Sequence, residues 1–101
     1  MKTNIRPHRS VLYMPGANNR ALEKAKSLPA DAVILDLEDS VAPEAKVQAR
    51  ERVCFAVREG GYGRRELVIR TNALETVWGT ADLLAAAEAA PDAILIPKVA
   101  H

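Results

Sequence analysis

Three carboxylates fall within four residues, Asp36, Glu38 and Asp39, just after the apolar run Ala32-Val33-Ile34-Leu35. A second apolar run, Leu67-Val68-Ile69, ends in Arg70 and Asn72, and a third, Ala93-Ile94-Leu95-Ile96, ends in Pro97 and Lys98. Oxygen donors of this kind suit a hard divalent cation such as magnesium, which keeps its waters and takes only one or two protein oxygens. Asp36 and Glu38 are two apart and share one face of a strand, and Asp39 begins the turn. Two acidic groups here do not complete a metal site; they are suited to orienting metal-bound waters. Arg70 brings a planar fork of donors that fits a carboxylate at two points. The plainer alternatives stay open. Asp36 could be satisfied by backbone donors, Glu38 and Asp39 could face water in a loop, and Arg70 could pair with Asp36 or Glu38 only to close the sheet.

Other candidates are weaker. Lys98 could form a Schiff base, as lysines on barrel strands do in class I aldolases, but an ion pair with a rim carboxylate is the expected role. Asn72 either donates to a substrate or caps the loop after its strand. His8 and His101 lie near the two ends of the chain and receive no catalytic role. Trp78, with Leu74 and Val77, reads as a hydrophobic plug. Cys54 sits among Val53, Phe55, Ala56 and Val57, so it reads as a buried, inert thiol.

These residues need a frame to bring them together. Ser10–Met14 reads as a strand stopped by Pro15-Gly16. Asn18 or Asn19 can cap the helix that follows, with Glu23 in its first turn, a stripe of Ala21, Leu22, Ala25 and Leu28, and a stop at Pro29. After the acidic strand, Pro43 suits the first turn of a second helix, buried through Ala45, Ala49, Val53, Ala56 and Val57, with Lys and Arg opposite and Gly60-Gly61 as its close. Leu67–Asn72 is the third strand. Thr80 is placed to cap the third helix, with Asp82 just inside, before the fourth strand at Ala93–Ile96.

The order β-α-β-α-β-α-β calls for parallel strands joined by crossover helices. All strand ends then lie on one face, where α/β barrels keep their catalytic groups and open α/β sheets their ligands. Four such units make either half of an eight-stranded barrel or a small open doubly wound sheet. The half barrel is favoured, because the sequence stops at His101 straight after a strand. Moreover, Pro15-Gly16-Ala17-Asn18-Asn19 does not match the glycine fingerprint of dinucleotide sites. The expectation is one partial domain, residues 1–101.

At 101 residues with a net charge of +1, nothing favours nucleic acid or an acidic membrane as a partner. One cysteine excludes an internal disulfide framework. No run approaches the length of a membrane span and no apolar signal core opens the sequence, so the expected location is cytoplasmic.

Several segments together carry a resemblance. Arg9-Ser10-Val11-Leu12-Tyr13-Met14-Pro15-Gly16 and Leu35-Asp36-Leu37-Glu38-Asp39-Ser40-Val41, with Lys46 and Ala49-Arg50, resemble the start of the citrate lyase beta subunit family. Arg70-Thr71-Asn72-Ala73-Leu74, Trp78-Gly79 with Asp82-Leu83, and Ile96-Pro97-Lys98-Val99 continue it in order. This is the HpcH/HpaI aldolase and citrate lyase superfamily, which includes malyl-CoA and related 3-hydroxyacyl-CoA lyases. Thr71 stands where the family usually has valine or isoleucine.

The resemblance implies the first half of a (β/α)8 barrel. It implies a magnesium-dependent carbon–carbon lyase that splits a citryl or malyl thioester of coenzyme A or of acyl carrier protein. The products would be an acetyl thioester and an oxo-acid such as oxaloacetate or glyoxylate. By the same resemblance Arg70 holds the substrate carboxylate, and Glu38 and Asp39 contact waters on the metal. The direct metal ligands are expected beyond residue 101, no catalytic residue is assigned within the segment, and a homo-oligomer is expected. Alternatives are a non-catalytic binding or scaffold subunit, a related pyruvate-type aldolase, and a signalling receiver. The receiver fits poorly, since it takes its acidic pocket from strands one and three.

Overall fold

A computed structural model describes residues 10–98. The elements run β1 (Val11–Pro15), α1 (Asn19–Ala25), β2 (Ala32–Asp36), a one-turn 3-10 helix (Pro43–Ala45), α2 (Lys46–Glu59), β3 (Glu66–Arg70), α3 (Gly79–Ala89) and β4 (Ala93–Leu95). All three strand pairings are parallel, in the order β1-β2-β3-β4. Asp36 stands in register with Pro15 on one side and Arg70 on the other.

Alternation along the strands decides between the two candidate architectures. Val33, Leu35, Leu37, Leu67 and Ile69 share one core with Leu22 and Ala25 of α1, Ala49, Val53 and Ala56 of α2, and Ala86 of α3. All three helices therefore cover the same face of the sheet. A doubly wound sheet would place helices on both faces. The intervening residues, Tyr13, Ile34, Asp36, Val68 and Arg70 among them, point to the opposite side. Sequential parallel strands with one helical layer form the first half of a (β/α)8 barrel.

Long-range contacts move the element ends away from their sequence signals. Asn18 caps α1 by accepting from the Ala21 N–H at 3.0 Å. Glu23 falls beyond the first turn and pairs with Lys26 at 3.0 Å instead of facing the helix dipole. The helix stops at Ala25 rather than running to Leu28. There the Arg65 guanidinium takes the carbonyls of Ala25, Lys26 and Leu28, which a continuing helix would leave to its own N–H groups.

Pro43 opens a 3-10 turn, and α2 proper begins only at Lys46. Lys46 itself is buried, so the basic residues of α2 do not all lie opposite its apolar stripe. Thr80 is exposed and does not cap α3. Thr76 does part of that work, accepting from the Gly79 N–H at 3.1 Å and donating to the Ala73 carbonyl at 2.6 Å. Trp78 is no plug: Val77 and Leu74 are exposed, and the indole lies half-buried with the Lys46 ammonium 5.2 Å from its centre.

One close backbone approach lies at the rim. The Gly16 N–H donates to the Asp36 carbonyl at 2.9 Å, extending the β1–β2 ladder by one step. A Cβ at Gly16 would sit 2.8 Å from that oxygen and 2.8 Å from the Val53 side chain. Only glycine leaves room there.

Candidate functional site

At the C-terminal ends of β2 and β3, Asp36 is the anchor. Its carboxylate is 2% exposed and accepts four donors. Oδ1 takes the Glu38 N–H at 2.9 Å and Arg70 Nε at 2.8 Å; Oδ2 takes the Ser40 N–H at 2.9 Å and the Ser40 hydroxyl at 2.7 Å. Burial pushes the carboxyl pKa up, but the hydrogen bonds from Arg70, Ser40 and the two backbone N–H groups outweigh it and hold the value at about 2. With its lone pairs taken, Asp36 has little left for a metal or a proton. It combines the backbone-satisfied role and the sheet-closing ion pair.

Arg70 is thereby aimed. One edge of the guanidinium is fixed on Asp36, while Nη1 lies 3.6 Å from Glu38 Oε1 and Nη2 lies 3.6 Å from Asp39 Oδ2. Those two distances are too long for hydrogen bonds, so the contacts are Coulombic and the Nη hydrogens remain able to donate. The Tyr13 ring lies 5.3 Å from the guanidinium carbon, backing the cation on the open side of the sheet. The hydrogen bond to Asp36, followed by the nearby charges, raises the Arg70 pKa further. Glu38 is partly exposed and Asp39 is 80% exposed at the side chain. Three carboxylates against one guanidinium leave a formal surplus of two negative charges at the rim.

Behind the rim lies a buried polar network. Lys46 Nζ donates to the carbonyls of Leu37 at 3.1 Å and Glu38 at 2.8 Å. Asn72 Nδ2 also reaches Leu37 O, at 2.9 Å, and donates to Asp82 Oδ2 at 2.7 Å. Asp82, fully buried, takes the Asn72 N–H at 3.0 Å and Arg50 Nε at 2.8 Å as well. Asn72 therefore ties β3 to the acidic loop from inside and does not present its amide at the surface.

The remaining candidates separate from the rim. Lys98 is exposed, and no carboxylate among the described residues pairs with it. The expected ion pair is not formed, because β4 ends at Leu95 and Arg70 already engages all three acidic groups. Cys54 is buried, and burial pushes its thiol pKa up, as suits an inert thiol. His8 and His101 lie outside the described residues. Sequence reasoning passed over the roles of Ser40, Tyr13 and the Arg50–Asp82 pair, and named Lys46 without a contact. Lys46 did carry a signal: it stands three residues before Ala49 on the buried stripe, where an apolar residue would be ordinary.

The rim can bind an anion at Arg70 and can orient water on a cation through Glu38 and Asp39. The donor set is all oxygen and suits magnesium through its waters. No group of three or more His, Cys, Asp or Glu among the described residues is placed to hold a metal directly. Among the same residues no helix is long and apolar enough to cross a membrane.

The sequence was compared with known proteins. The HpcH/HpaI aldolase/citrate lyase family matches residues 9–101. The (3S)-malyl-CoA thioesterase of Cereibacter sphaeroides (strain KD131 / KCTC 12085) is 52% identical over 101 residues, covering 100% of this chain and 35% of that protein. Citrate lyase subunit beta of Escherichia coli (strain K12) is 41% identical over 93 residues, covering 92% of this chain and 31% of that protein. Among solved structures, protein CitE from Mycobacterium tuberculosis in complex with magnesium and acetoacetate matches with a TM-score of 0.71 and 34% identity, over 96% of this chain and 39% of that chain. The chain spans about a third of the length of the curated relatives it matches.

Proposed function

The chain belongs to the HpcH/HpaI aldolase/citrate lyase family, and from that premise we propose a magnesium-dependent carbon–carbon lyase acting on a citryl or malyl-type 3-hydroxyacyl thioester. The acyl group is carried by coenzyme A or acyl carrier protein, and the products are an acetyl or acyl thioester and an oxo-acid such as oxaloacetate or glyoxylate. The bond between the hydroxyl-bearing carbon and the carbon next to the thioester breaks; the hydroxyl loses its proton as its carbon becomes the oxo carbon, and the carbon next to the thioester gains one. The observation that carries this reading is the aim of Arg70, fixed through Nε on Asp36 with both Nη groups left at the rim.

In this reading Arg70 binds the substrate carboxylate as a two-point fork and fixes which way the acyl group enters. Glu38 and Asp39 accept hydrogen bonds from waters on magnesium and so hold them in place. Magnesium, when bound, supplies a Lewis acid that stabilises negative charge on the oxo-acid oxygen. No described residue is assigned to take the hydroxyl proton. The protein is proposed to act in the cytoplasm as a homo-oligomer.

A second reading has its own support. A relative 52% identical is a malyl-CoA thioesterase, which makes hydrolysis of the same acyl thioester a competing outcome. Product analysis of the complete reading frame with malyl-CoA, citryl-CoA and magnesium separates the two. The lyase reading requires an oxo-acid and an acyl thioester in equal amounts; free malate or citrate with a free thiol identifies hydrolysis. In either case Arg70→Ala is expected to lower kcat/KM by about a hundredfold, the loss of charge-assisted hydrogen bonds to a carboxylate. An unchanged kcat/KM removes Arg70 from the substrate site.

A further inference from the structure

Lys46 is the least economical residue of the chain unless it has a task. Its side chain is buried at 6% exposure, and among the described residues no carboxylate pairs with its ammonium. A buried, unpaired cation is costly, and a neutral residue would fill the same space on the apolar stripe of α2 more cheaply. Its partners are two consecutive main-chain carbonyls, of Leu37 and Glu38, and the face of Trp78.

Those carbonyls belong to the two peptide planes on either side of the Glu38 α-carbon. The first plane is held at both ends, by Lys46 and Asn72 on the Leu37 oxygen and by Asp36 on the Glu38 N–H. The second is held through the Glu38 oxygen, by Lys46 and by the Val41 N–H at 3.3 Å. Fixing both planes fixes the direction in which the Glu38 side chain leaves the backbone, and the starting point of Asp39. Among the described residues, Lys46 is the one side chain that reaches both. Its charge also lies directly behind a loop with surplus negative charge, where it opposes the mutual repulsion of the carboxylates.

Resting on the function proposed above, we infer that Lys46 is a positioning residue of the cation site. It reaches from α2 to lock the Glu38–Asp39 backbone so that the two carboxylates meet the waters of a bound divalent ion. It touches neither substrate nor metal.

The test is Mn²⁺ binding, read by the free-ion electron paramagnetic resonance signal on the complete reading frame. Four proteins are compared: the parent, Lys46→Met, Lys46→Gln and Val53→Ala. Val53 is buried on the same helix and its truncation weakens the packing of α2 without touching the loop carbonyls. Lys46→Met is expected to weaken Mn²⁺ binding about tenfold, in the range for residues that orient metal contacts. Val53→Ala is expected to bind like the parent despite its lower stability. Parent-like binding by Lys46→Met overturns the inference, as does an equal weakening by Val53→Ala, which would reduce Lys46 to general stability. Should the methionine variant fail to fold, Lys46→Gln decides on the same criterion, since its shorter amide cannot span both carbonyls. A parent that binds no Mn²⁺ overturns the proposed function and this inference with it; parent-like binding by the Lys46 variant overturns the inference alone.

Discussion

Asp36 converts acidity into stability. In the folded chain its carboxyl titrates at about 2, against about 3.9 in an unfolded chain. Lowering the pH therefore protonates the unfolded state first. The stabilisation is complete above about pH 4 and is lost as the pH falls from there to about 2, worth about 2 kcal/mol in all. Asp36→Asn removes the charge and turns an amide N–H₂ toward groups that are all donors: Arg70 Nε, two backbone N–H groups and the Ser40 hydroxyl. It is expected to cost about 3 kcal/mol at neutral pH, as for a broken buried ion pair, and to flatten the loss of stability between pH 4 and 2. Urea unfolding across that range checks both. A variant that keeps the acid dependence of the parent would locate it in another group. The same anchoring favours the ligand role proposed for Arg70: one edge is immobilised, so binding would not have to order the whole side chain.

At the scale of elements, the critical joint is where α3 meets the loop after β3. A Cβ at Gly79 would lie 2.1 Å from the Ala73 carbonyl oxygen and 2.6 Å from the Leu74 α-carbon, both backbone atoms that cannot turn aside. Gly79→Ala must push the start of α3 outward, and Asp82 sits one turn along that helix, holding Asn72 and Arg50. The expected loss is about 3 kcal/mol, at the upper end for overpacking, measured by urea unfolding at neutral pH. A loss within about 0.5 kcal/mol, as for an ordinary surface change, would mean that the loop yields freely. This joint also shows what the sequence could and could not reveal. The four strands were legible, because β-branched apolar runs ending in polar residues are local signals. So was the convergence of Arg70 with Glu38 and Asp39, which follows from parallel strands alone. The stop of α1 at Ala25 and the burial of Lys46, Asn72 and Asp82 were not. Each depends on a partner nine or more residues away: Arg65 for α1, the Leu37 carbonyl for Lys46 and Asn72, Arg50 for Asp82. Local propensity for capping or solvation gave way to those tertiary contacts.

At the scale of the whole molecule, the described residues form a sheet with one face covered by helices and one face that no described helix covers. Helices cover Val33, Leu35 and Ile69 completely, whereas on the other side Val11, Tyr13 and Leu95 remain 40%, 55% and 43% exposed. The rim groups stand at the edge of that open face. They supply an anion fork and two carboxylates suited to metal-bound water, but no cluster among the described residues offers three direct metal ligands. Contacts through water alone hold magnesium weakly, since the ion keeps its hydration shell in solution equally well. In the proposed reaction without the metal, charge developing on the oxo-acid oxygen would have, among the described residues at the rim, the cation Arg70, whose Nε is held by Asp36 and whose Nη groups are proposed to take the substrate carboxylate. The 101-residue polypeptide by itself is therefore expected to show background turnover of malyl or citryl thioesters in the presence of magnesium, while retaining the acid-dependent stability set by Asp36. The assay is the loss of thioester absorbance, read alongside circular dichroism to show that the polypeptide is folded. Appreciable turnover by the folded polypeptide would mean that the rim of four strands is sufficient for catalysis. The proposed roles of anion binding and water positioning, without direct metal ligation by these residues, would then be wrong.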